Sequence, residues 1–165
     1  MAAATAQSTG SLPSGLGVCT SAPDIFYLPE LVFGGLVWIL VASTHVLPQN
    51  PQGWVMFVSV FCFIMTFLWF IIFISGAHKN SSSWATADFL YHLLAAVFYL
   101  SASVALAYVN VVLRPDTDLS TVYYLLFNVT AKEYRIDIAA VVFSYVTTLL
   151  YLIHCILSAI RWKSF

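Results

Sequence analysis

Two carboxylates and two imidazoles stand at the edges of, or inside, otherwise uncharged stretches of this chain: Glu30, Asp88, His92 and His154. These residue types build proton relays and divalent-metal sites, and an ionisable group in a long apolar run is costly enough to imply a purpose. Asp88 and His92 are four residues apart and share one helix face. The sharper reading is a proton or metal site. The plainer one is an interhelical hydrogen-bond cluster that fixes the register of a helix bundle, with Asp88 favourably placed at a helix N-terminus. A metal site needs three or four converging ligands, and spacing along the chain shows no convergence. No catalytic, cofactor-binding or metal residue is therefore assigned. The chain contains no P-loop, no Gly-x-Ser-x-Gly and no His-Glu-x-x-His, so a non-enzymatic protein is expected.

Two modification chemistries are also written into the residues. Cys19, shortly before the first apolar run, and Cys155, inside the last, are candidates for S-palmitoylation. Asn128-Val129-Thr130 is an N-glycosylation sequon in the longest connection. A second sequon, Asn80-Ser81-Ser82, falls on the opposite side of the membrane in the topology below and too close to a span for the transferase.

The elements that position these groups follow from where charge is missing. Of 165 residues 61% are hydrophobic and only 8% charged, against about 25% charged in an ordinary soluble domain. A net charge of -1 with six basic residues gives no field for nucleic acid. Leu31–Leu47, Trp54–Ser75, Phe89–Leu113 and Ile138–Ile160 contain no Asp, Glu, Lys or Arg and hold 17, 22, 25 and 23 residues. Crossing the hydrocarbon takes about 20 residues of helix, and the first run reaches that length by extending back to Ile25. The expected fold is an all-α membrane protein, an antiparallel bundle of four transmembrane helices at about 25–47, 54–75, 89–113 and 138–160. Residues 1–22 are expected to form a disordered tail, 23–163 the membrane domain and 114–137 an outer loop.

Basic residues divide evenly between the two sides and leave orientation open. The Asn128 sequon places loop 114–137 outside or in a lumen and both termini in the cytoplasm. Small residues recur at helix-packing spacings: Gly34, Gly35 and Ala42 in the first helix, Ser101 and Ala105 in the third, and Ser144 in the fourth. They are expected to pack the bundle against itself, with self-association as a second use. Terminal aromatics such as Trp54, Trp84 and Trp162 suit an interfacial belt. The span lengths suit a thick, sterol-rich membrane.

The segments Leu31–Ala42 and Gln52–Val60 resemble the signature of the MAL proteolipids, tetraspan proteins of the MARVEL-domain class. Tyr91-His92, Phe98–Val104, Ala139–Tyr145 and Ile160–Ser164 extend the resemblance, which runs from about Leu12 to Ser164. The connection Val109–Arg135 departs from it by reading as longer. The resemblance implies a MARVEL four-helix bundle with cytoplasmic termini, at the apical plasma membrane and in Golgi and endosomal carriers. It also implies sterol, glycosphingolipid and membrane cargo proteins as partners, and roles in apical sorting or myelin membrane biogenesis. It supplies no catalytic residue. Two further readings stay open: a channel or proton-coupled transporter using Glu30, Asp88, His92 and His154, and a structural proteolipid of stacked membrane.

Overall fold

The computed structural model describes residues 12–46, 49–80, 83–114 and 118–164, and among these every regular element is helical. Five α-helices follow one another: α1 (Tyr27–Ser43), α2 (Gln49–Ser75), α3 (Ser83–Val112), α4 (Asp118–Phe127) and α5 (Ala131–Lys163). Four segments, Asp24–Ser43, Asn50–Ser75, Ser83–Val112 and Ala131–Lys163, are long and apolar enough to cross a membrane. They close into a ring in which α1 packs on α2, α2 on α3, α3 on α5 and α5 back on α1, with α3 and α5 in the most extensive contact.

The helices run past the charge-free stretches because their ends carry their own signals. Pro51 follows Asn50, whose extended backbone (φ -123°, ψ 118°) is what a residue before proline prefers. Regular helix then starts at the proline, where the missing N–H is no loss. At the other end of α2, Gly76 takes φ 73° and its N–H bonds the carbonyl of Phe73, a left-handed stop suited to glycine. The fourth span begins at Ala131 rather than near residue 138. There the Glu133 carboxylate accepts the Thr130 N–H at 2.5 Å, closing a capping box.

Segment 114–137 is accordingly not a plain loop. It holds α4 and the first two turns of α5. The Tyr124 hydroxyl donates to the carbonyl of Leu113 at 3.1 Å, which ties α4 to the end of α3. Burial pushes the pKa of the Tyr123 hydroxyl up to about 12. Val122, Leu125 and Leu126 stay exposed on the same short helix. The leader also differs from the expected disordered tail. From Leu12 onward it is described, Gly15–Cys19 forms a 3-10 turn, and Val18 is fully buried in the main core. Residues before Leu12 lie outside the described residues, as do Asp116 and the Ser81-Ser82 part of the second sequon.

One pattern governs all four spans. In α3 the buried residues Ala85, Asp88, His92, Ala95, Tyr99, Ala102, Leu106 and Val109 alternate at spacings of three and four. In α5 the same alternation runs through Asp137, Ala140, Ser144, Thr147, Tyr151, His154, Ser158 and Arg161. In α1 it runs through Tyr27, Glu30, Gly34, Val37 and Val41, and in α2 through Gln52, Val55, Ser59, Cys62, Thr66, Trp69 and Phe73. This is the heptad seam of a coiled coil, here rich in small and polar residues. Large apolar side chains such as Ile39, Phe57, Ile64, Leu68, Leu100 and Leu149 point outward.

The small residues expected to pack the bundle divide on this basis. A Cβ on Gly34 would lie 3.1 Å from the Tyr99 hydroxyl of α3, and one on Gly35 would lie 3.3 Å from Phe63 of α2. These two glycines therefore admit different neighbours on either side of α1. Ser144 is fully buried and Ala105 packs against the core. Ala42 and Ser101 are not seam residues: both are exposed, and Ser101 instead accepts the indole N–H of Trp54 at 3.0 Å. Overpacking costs about 1–3 kcal/mol, so Gly34→Leu should lower stability by that amount in detergent unfolding. Ala42→Leu should change it by less than about 0.5 kcal/mol.

Candidate functional site

Apart from Asp137, the carboxylate, histidine and arginine residues on the seams of α1, α3 and α5 gather at one end, where Arg161 of α5 meets Asp24. Glu30, Asp88, His92 and His154 come together there, each with no exposed surface. His154 Nδ1 lies 2.8 Å from Glu30 Oε1, and His92 Nε2 lies 3.6 Å from Glu30 Oε2. The two imidazoles stack with centroids 3.6 Å apart. The helical spacing of Asp88 and His92 puts His92 Nδ1 2.8 Å from the Asp88 carbonyl oxygen and 3.2 Å from its Oδ1. Convergence, which spacing alone could not reveal, is thus a property of the folded chain.

Four further residues complete the cluster, and sequence reasoning missed them. Arg161 Nη1 donates to both carboxylate oxygens of Asp24 at 2.9 and 2.8 Å, while Nη2 donates to Asp88 Oδ2 at 2.8 Å. The Tyr27 and Ser158 hydroxyls each donate to Asp88 at 2.6 Å. By position alone Arg161 reads as one of the exposed charges that orient a membrane protein. It is instead 9% exposed and committed to two carboxylates. The seven-residue step from His154 to Arg161 is the available signal, because it places both on one seam.

The rest of the axis is polar as well. Thr66 Oγ1 lies 2.7 Å from both the Tyr91 and Tyr151 hydroxyls, and Tyr91 also donates to the carbonyl of Cys62 at 3.1 Å. Ser103 and Thr148 lie 3.0 Å apart. At the far end Gln52 and Thr44 donate to Asp137 at 2.9 and 3.1 Å. Asp137, assigned from sequence to the outer loop, is therefore a buried seam residue of α5. One ligand atom each from Glu30, His92 and His154 lie within 4.8 Å of one another, the spacing of a small metal-ligand group.

The two candidate acylation sites fare differently. Cys19 is half-buried in its 3-10 turn, while Cys155 is 5% exposed within α5. A thioester on Cys155 would need the helices to part. Asn128 is exposed in the turn between α4 and α5 with φ 51°, a backbone that asparagine tolerates better than most residues.

Removing one partner from a buried ion pair strands the other, at a cost of about 3–5 kcal/mol. Arg161→Met should therefore destabilise the folded bundle by that order in detergent or nanodisc unfolding. Lys163→Met, two residues on and exposed, should be nearly silent.

Comparison with known proteins agrees with this architecture. A family profile described as "Membrane-associating domain", MARVEL, matches residues 19–157. The myelin and lymphocyte protein of Canis lupus familiaris is 49% identical over 164 residues, covering 99% of each chain, and that of Homo sapiens matches equally. Plasmolipin of Rattus norvegicus is 36% identical over 102 residues, 61% of this chain and 56% of its own length. No solved structure matches. The chain is a multi-pass membrane protein of the MARVEL-domain class and belongs to the MAL proteolipid family.

Proposed function

We propose that this protein is a non-enzymatic organiser of sterol- and glycosphingolipid-rich membrane. It acts in vesicular trafficking and apical sorting, or in building myelin-like membrane, with both termini in the cytoplasm. The observation that carries this reading is the inside-out character of the bundle. Polar groups are spent on one another along the seams, and the surface left for partners is a band of large apolar side chains. Three of the four spans, of 26, 30 and 33 residues against 20 for the first, are about 39–50 Å long at 1.5 Å per residue. Their length favours thick, ordered bilayers over thin ones. The names of two relatives, myelin and lymphocyte protein and plasmolipin, suit a membrane proteolipid. Sterols, glycosphingolipids and the spans of cargo proteins would meet the outer band.

The transporter reading has one observation behind it, the polar residues strung along the axis. Between the two ends, however, the Tyr99 and Tyr151 rings stack with centroids 5.4 Å apart, both fully buried. Liposomes reconstituted with this protein are expected to stay sealed to protons.

Phase partitioning tests the organiser reading. In cell-derived vesicles with coexisting ordered and disordered phases, tagged protein should enrich in the ordered phase. Removing three residues from each of two spans should shift it toward the disordered phase. Exclusion of the unaltered protein from ordered membrane would contradict the reading.

A further inference from the structure

The charges of the terminal cluster do not cancel. Asp24, Glu30 and Asp88 are fully buried, and the guanidinium among them, Arg161, is shared between Asp24 and Asp88. Two negative charges remain in a site walled by helices and bilayer, where unbalanced ions are expensive. Histidine can offset them only by taking up protons.

The deficit is sharpest at Glu30. His92 Nδ1 faces two acceptors, the carbonyl and a carboxylate oxygen of Asp88, so that nitrogen holds a hydrogen. In a neutral imidazole the second nitrogen, Nε2, is then a lone pair, and it points at Glu30 Oε2 across 3.6 Å. Two acceptors face each other there with nothing to share. His92 Nε2, Glu30 Oε2 and His154 Nε2 are all buried without a hydrogen-bond partner. Unpaired groups of this kind are rare in folded proteins and each requires a cause.

We propose that Glu30, His92 and His154 hold one divalent transition-metal ion, with Zn²⁺ the best match to the donors. Two imidazole nitrogens and a carboxylate are a familiar zinc set, and one ligand atom from each residue already lies within 4.8 Å of the others. A single dication would cancel both surplus charges and occupy the gap between His92 and Glu30. Asp88 behind His92 Nδ1 is the outer carboxylate that orients a ligating imidazole. A second grouping, Asp24, Asp88 and His154, is a poorer host because Arg161, Tyr27 and Ser158 already occupy its carboxylates. The ion would join α1, α3 and α5 at the terminal end of the bundle, a structural role that holds whether or not the protein organises ordered lipid.

Cobalt titration tests this on the full chain in nanodiscs after treatment with a chelator. One equivalent of Co²⁺ should give the strong visible d–d absorption of a four-coordinate site in which water completes the three protein ligands, Zn²⁺ should displace it, and Zn²⁺ should raise the unfolding temperature. His92→Gln and His154→Gln should each weaken binding about tenfold or more. His45→Gln, exposed in the turn after α1, should bind as the parent does. Failure of the unaltered protein to take up one equivalent would overturn the proposal and leave protons as the balancing charge, and that result stands even if a variant fails to fold. Parent-like binding by both glutamine variants would overturn it equally.

Discussion

Hydrocarbon offers no hydrogen bond, and this structure is organised around that constraint. A polar group inside the bilayer must find its partner within the protein. Here the partners are arranged along heptad seams, so that helix packing and polar satisfaction become one requirement. Arg161 shows the coupling most clearly. It holds Asp24 ahead of α1 and Asp88 on α3 from its own place on α5. A rotation or one-residue slip of any of these helices would move a charge from the seam toward lipid. Between apolar helices in lipid there is no hydrophobic force to choose a register. The charged cluster supplies that choice, and Gly34 and Gly35 supply the close approach that lets it form.

The four spans were legible in the sequence because an apolar run of 20 residues or so without charge is hard to accommodate anywhere but in a bilayer. The cluster was half legible. Glu30, Asp88, His92 and His154 stood out by type, but their convergence depends on rotation about helix axes that run lengths do not contain. That rotation was nonetheless written in the polar residues. Gln52, Ser59 and Thr66 are seven apart, as are Asp137, Ser144, Tyr151 and Ser158. In a soluble bundle the apolar residues mark the seam. In this one the outer face is apolar, so the informative period belongs to the exceptions, and a search for uninterrupted apolar runs discards it.

Helix ends were less legible for a related reason. Ending a span at its first charged residue assumes that charges lie in water. Asp88, Asp137 and Arg161 break that assumption because each has a buried partner. The Thr130–Glu133 capping box is visible as a four-residue motif and marks the start of α5 correctly. By contrast, nothing local announces that Val18 leaves an uncharged leader and enters the core. That contact is long-range and depends on α2 being there to receive it.

The buried Asp88–Arg161 pair acts as one specific interaction rather than as two independent contributions of polar residues to stability. A double-mutant cycle with Asp88→Asn, Arg161→Met and the double variant, measured by unfolding in lipid nanodiscs, tests it most directly. Strong coupling is expected, about 2 kcal/mol or more, as for desolvated charge pairs, with the double variant more stable than the sum of the single losses implies. Additive losses within about 0.5 kcal/mol would contradict it, and the seam would then have to owe its register to packing alone.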